Sequence, residues 1–74
     1  MNDCLKLNKI TILPEELEAL RLADYLNMSQ QQAADEMAIS RQTFGNIVNQ
    51  ARYKVAASLI EGGALLFDDK EQHL

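Results

Sequence analysis

The side chains best suited to recognition chemistry lie between Ser40 and Lys54. Arg41, Gln42, Thr43, Asn46, Asn49 and Gln50 carry guanidinium, amide and hydroxyl groups, the types that hydrogen-bond base edges and phosphate oxygens. Arg52 and Lys54 add positive charge suited to phosphates. Ser40 is a candidate helix N-cap, and the amides just after it would point at an anion. A smaller group, Ser29 and Gln30, stands at the start of a preceding helix and could hold another phosphate. Catalytic chemistry has no comparable set. Cys4 and His73 sit at opposite ends of the chain, there is no glycine-rich phosphate loop, and the carboxylates gather at helix starts or in the terminal tail. No enzyme, metal site or cofactor is therefore expected.

These groups need two helices set close together. Ser29 is an N-cap, and Gln32 three residues later completes capping-box spacing. Helix-favouring residues continue to Met37, and Ser40 opens the next helix, leaving a three-residue connection. Counted from Gln30, apolar residues fall at Ala33, Ala34, Met37, Ile39, Phe44 and Ile47, the spacing of a helix-turn-helix. Ala34 is small where the helices must approach, Ile39 plugs the turn, and Phe44 and Ile47 share one helix face. Ala38 stands where such turns commonly hold Gly. A left-handed Ala would cost roughly 1 kcal/mol, so the turn either avoids positive φ or tolerates the strain.

Before this unit, residues 9–13 (KITIL) alternate and are β-branched, which predicts a short strand. Pro14 then begins a first helix ending near Leu26, with Leu17, Leu20, Leu22, Ala23 and Leu26 as its apolar stripe and Asn27 as a left-handed cap. Met28 packs between the first two helices, and Tyr25 sits at the solvent edge. Glu15, Glu16 and Glu18 stabilise the first turn through the macrodipole, and Arg21 is placed to pair with Glu18 or Asp24. The third helix runs to about Ile60, with Phe44, Ile47, Val48, Ala51, Val55 and Leu59 as its stripe. Gly45 inside it either permits a close approach or is a neutral surface position. Gly62 and Gly63 stop the helix, and residues 64–67 (ALLF) predict a second strand. The fold class is all-α: a single domain over residues 1–74, with helices at 14–26, 30–37 and 41–60. Its terminal strands pair within or between chains.

A chain of 74 residues buries a limited core, and one Cys allows no internal disulfide. A homodimer built partly on the two apolar strand segments is the expected remedy. There is no membrane-spanning run and no signal peptide, which with the lone Cys predicts a cytoplasmic protein. The terminal octet, His73 and the polar tail carry no functional signal. The net charge of −4 is unusual for a nucleic-acid binder. Its distribution is uneven: residues 37–60 hold no Asp or Glu, only Arg41, Arg52 and Lys54.

Three blocks carry a family resemblance: LEALRLAD (Leu17–Asp24), SQQQAADEMAISRQTFGNI (Ser29–Ile47) and ARYKVAASLIEG (Ala51–Gly62). Over about two-thirds of its length the chain resembles uncharacterised small prokaryotic proteins predicted to bind DNA. Their helix-turn-helix is similar to region 4 of sigma factors. The resemblance implies a three-helix core with Arg41, Gln42, Thr43 and Asn46 opening the recognition helix. It also shows departures. Those proteins commonly have Gly at the position of Ala38, often have basic residues at the positions of Asn46 and Tyr53, and usually have a longer basic N-terminal segment.

Two functions follow as expectations. The first is a sequence-specific binder of double-stranded DNA, a transcriptional regulator whose helix from Arg41 enters the major groove. Arg41, Gln42, Thr43 and Asn46 would meet base edges, with Asn49 and Gln50 at the margin, and Ser40, Ser29, Gln30, Arg52 and Lys54 would lie at phosphates. The second is a protein-interaction module of the same fold, docking on RNA polymerase or another protein with little DNA affinity.

Overall fold

Strand β1 (Lys9–Ile12) leads through Leu13 into helix α1 (Pro14–Leu20), which continues as a π-helical turn over Arg21–Tyr25 in the computed structural model. Helix α2 (Gln30–Glu36), helix α3 (Arg41–Glu61) and strand β2 (Ala64–Phe67) complete the chain. The structure describes residues 9–62 and 64–67; Cys4, Gly63, His73, the first eight residues and the tail over 68–74 lie outside them.

Local chemistry sets each boundary. Pro14 occupies the first turn of α1, where its missing N–H costs nothing. The π-helical turn is marked by the Leu26 N–H bonding the Arg21 carbonyl at 2.8 Å, five residues back. Asn27 then takes φ 58°, the left-handed cap the sequence predicts, and the Met28 N–H reaches the Leu22 carbonyl at 2.9 Å. The Ser29 hydroxyl accepts from the Gln32 N–H at 3.1 Å while the Gln32 side chain accepts from the Ser29 N–H at 3.2 Å, closing the capping box. Gly62 ends α3 with φ 69°.

The turn between α2 and α3 adopts the geometry that a glycine would supply. Ala38 has φ 58°. Its N–H bonds the Asp35 carbonyl at 3.1 Å, and the Ile39 N–H bonds the Ala34 carbonyl at 3.0 Å. Together they satisfy two carbonyls at the end of α2 as a Schellman cap does. Of the two readings of Ala38, the structure takes the strained one.

Ala19, Leu22, Ala33, Ala34, Phe44 and Val48 form the fully buried centre, and Leu20, Ala23, Met28, Met37, Ile39 and Ile47 pack around it. Every apolar position of the predicted helix-turn-helix is in this cluster. The α1 stripe differs from expectation at its ends, since Leu17 and Leu26 are exposed. Glu16, rather than Leu17, takes the buried place at the start of α1, where it meets a lysine of α3, and the packed side rotates accordingly. Leu59 also departs from the α3 stripe at 76% exposed, because Ala57 and Ser58 occupy the covered side of that last turn.

β1 and β2 pair in parallel within the chain, Lys9 opposite Ala64 through Ile12 opposite Phe67. The three helices form the long connection that parallel strands require. Both strands lie against α3, and Ile12 is buried.

Candidate nucleic-acid interface

The site candidates on α3 divide by helix phase. Phe44, Val48 and Ala51 are buried against the core. At 100° per residue the opposite side carries Gln42, Asn46 and Asn49, with Gln50 on one flank and Arg41 on the other. All five are exposed. None makes a side-chain hydrogen bond or ion pair with the rest of the described chain. Ser40 caps the helix: its hydroxyl accepts from the Thr43 N–H at 3.0 Å and donates to the Thr43 hydroxyl at 2.8 Å. Thr43 is thereby engaged locally.

Tyr53 continues this outer row one turn beyond Asn49 and is 63% exposed. Tyr53 is not among the site residues expected from the sequence. The signal was its i+4 spacing from Asn49, which puts both on one helix face.

Arg52 and Lys54 are held in ion pairs. The Arg52 guanidinium donates to both carboxylate oxygens of Asp24, Nε at 3.1 Å and Nη2 at 2.7 Å. The two side chains are 45% and 46% exposed. These hydrogen bonds hold the Asp24 carboxyl below its ordinary value and push the Arg52 guanidinium up. Lys54 Nζ donates to Glu16 Oε1 at 2.7 Å and to the Thr11 carbonyl at 2.8 Å, and the Leu13 N–H donates to the same Glu16 oxygen at 2.9 Å. Here the side chains are 18% and 6% exposed. One lysine therefore ties α3 to α1 and to β1. Arg21 pairs with Glu18, at 3.0 and 2.8 Å, which lowers the Glu18 carboxyl and leaves Asp24 to Arg52.

Ser29 is filled by its capping box, whereas Gln30 lies beside α3. A Cβ added at Gly45 would sit 3.7 Å from Gln30 Oε1, an ordinary contact. Nothing within the described chain obliges position 45 to be Gly. Gln31 is held by Asp35 at 3.0 Å. Among the described residues no group of three or more His, Cys, Asp or Glu could hold a metal ion, and no helix is long and apolar enough to cross a membrane.

Fold and surface together define a small three-helix domain, in which a tight left-handed turn joins a short helix to a long one with an open polar row. The chain belongs to the family described as "Protein of unknown function DUF134", which matches residues 2–73. It is 65% identical over 69 residues to a UPF0251 protein of Vibrio parahaemolyticus, an alignment covering 93% of this chain and 72% of the relative. A UPF0251 protein of Vibrio vulnificus is 52% identical over 66 residues, covering 89% and 66%. One from Clostridium botulinum is 48% identical over 60 residues, covering 81% of this chain but 38% of the relative. The chain thus spans two-thirds or so of its vibrio relatives and well under half of the clostridial one. No solved structure matches it.

Proposed function

We propose that this domain binds double-stranded DNA in a sequence-specific way and acts as a cytoplasmic transcriptional regulator, with the first half of α3 in the major groove. The observation that carries the reading is the exposed row Gln42, Asn46 and Asn49, flanked by Arg41 and Gln50. Its donors and acceptors have no partner in the described chain. Amide side chains read adenine edges by paired hydrogen bonds, and arginine reads guanine. Ser40 and the amides after it take a phosphate, and Ser29 and Gln30 lie at the adjoining backbone. The resemblance to sigma-factor region 4 fits this placement. The domain acts as a homodimer, whose half-sites lie about one turn of DNA apart.

A second reading has its own observation. Two of the three cations in residues 37–60 are neutralised by the carboxylates of Glu16 and Asp24, and Leu59 and Ile60 stand 76% and 84% exposed at the end of α3. That surface suits a protein partner, such as RNA polymerase, better than phosphates.

Selection of bound duplexes from a random pool at low salt, with the mass in solution measured alongside, separates the two. The DNA reading expects an enriched two-fold-symmetric site and a dimer mass. Absence of enrichment from folded protein gives the ground to the second reading.

A further inference from the structure

We propose that Asp24 is a latch on Arg52. In the free protein its carboxylate occupies the place of a DNA phosphate, and its release sets how tightly the domain holds DNA of any sequence. The inference rests on the DNA-binding reading and adds an autoinhibitory residue to it.

Three observations lead here. The first is geometry. Arg52 presents Nε and Nη2 to the two oxygens of Asp24 at 3.1 and 2.7 Å, the two-point mode in which guanidinium also takes phosphate. The second is position. Arg52 lies seven residues after Gly45 and eleven after Arg41, so all three share one side of α3. That side borders the row of Gln42, Asn46 and Asn49, where a duplex seated on the row would bring its backbone. The third is access. The Asp24–Arg52 pair is about half exposed on both partners, so a phosphate can compete for the guanidinium. The Glu16–Lys54 pair is closed by comparison, and Lys54 is also bound to the Thr11 carbonyl. Of the two cations in the second half of α3, only Arg52 can change partners without opening the fold.

The exchange has a definite ionic signature. When Arg52 moves from Asp24 to a phosphate, the bared carboxylate stays nearby and opposes the DNA charge, so the pair brings little net positive charge to the interface and the net counterion release is small. Removing the Asp24 charge leaves Arg52 ready to release a counterion on binding. Affinity then gains at low salt, and its salt dependence steepens by nearly one counterion.

The test measures binding of a labelled mixed-sequence duplex over a salt series. It uses wild type, Asp24→Asn, Asp24→Asn with Arg52→Gln, and Glu15→Gln. Glu15 is exposed and unpaired on α1, so the last variant reports the bare effect of one less negative charge. Asp24→Asn is expected to bind about fivefold more tightly near 0.1 M salt, with a logarithmic slope steeper by about 0.9. Glu15→Gln is expected to gain much less, and Arg52→Gln to cancel the gain. If wild type binds duplex but Asp24→Asn gains no more than Glu15→Gln, or keeps its gain without Arg52, the latch is wrong and the DNA reading stands. If no variant binds duplex at low salt, the DNA reading fails and takes the latch with it.

Discussion

The first half of α3, Arg41–Gln50, leaves Gln42, Asn46, Asn49 and Gln50 exposed on its outer side, while the second half commits both its cations to Glu16 of α1 and Asp24 of the π-helical turn. The helix is continuous and its core-facing side is apolar up to Ser58 in the last turns, so secondary structure does not explain the difference. Partner supply does. The first half faces α2, where Gln31, Gln32 and Asp35 are taken up by the Ser29–Gln32 box and the Gln31–Asp35 bond. The second half meets Glu16 of α1 and Asp24 of the π-helical turn. Charge counted along the sequence makes residues 37–60 look basic. Charge counted in space leaves Arg41 as the one cation of that segment outside an ion pair. A recognition surface here depends on uncharged amides more than on an attractive field, so non-specific affinity is expected to show at low salt and to fade as salt rises.

The largest effect should come from breaking the closed pair in the second half. Lys54→Met leaves the Glu16 carboxylate buried without its cation and is expected to destabilise the fold by about 3 kcal/mol in urea unfolding. Adding Glu16→Gln should recover much of that loss, since no lone charge remains. An additive double variant would remove the clamp from the account.

Gln42→Ala tests the open half. It should weaken binding to the selected site by on the order of 1–3 kcal/mol and relax preference at one base position, with stability unchanged. Equal losses on matched and mismatched duplexes would show that Gln42 reads no base.

Smaller effects lie in the backbone. Ala38→Gly relieves the left-handed strain in the turn and should raise stability by up to about 1 kcal/mol, and a fall would mean the strain is absent in solution. Gly45→Ala should raise it by a similar amount, because the added Cβ meets only an ordinary contact at Gln30. If that variant also loses duplex binding, the position is Gly because DNA comes close.

The smallest effect is on pH dependence. The Asp24 and Glu18 carboxyls are held below their ordinary values by Arg52 and Arg21. Their contribution is present above the unfolded carboxylate range and is lost as pH falls through the folded values. Since both pairs are exposed, melting between about pH 6 and about pH 2.5 should show a shallow loss from them. Asp24→Asn should flatten it slightly, and an unaltered profile would mean the Asp24 pair does not persist in solution.

Much of the fold was readable because it is local. Ser29, Gln32, Ser40, Asn27 and Gly62 act on residues within a turn of themselves, and the spacing from Ala33 to Ile47 encodes one pairing of helices. What escaped is long-range. Nothing near Glu16 announces that Lys54, 38 positions away, will bury it, and that burial displaced Leu17 from the core. The opening of α1 into a π-helical turn and the parallel direction of the strands were likewise set by packing. On α3 the exposed amide row followed from periodicity, whereas the partners of Arg52 and Lys54 required the folded positions of Asp24 and Glu16.

The most direct test of the contrast is a nuclear magnetic resonance titration of the labelled domain with a selected duplex, following backbone and side-chain amides. The account predicts that the largest shifts fall on the side-chain amides of Gln42, Asn46, Asn49 and Gln50 and on the backbone from Arg41 to Gly45. Shifts gathered instead around Leu59 and Ile60, with that amide row silent, would contradict DNA reading by the first half of α3.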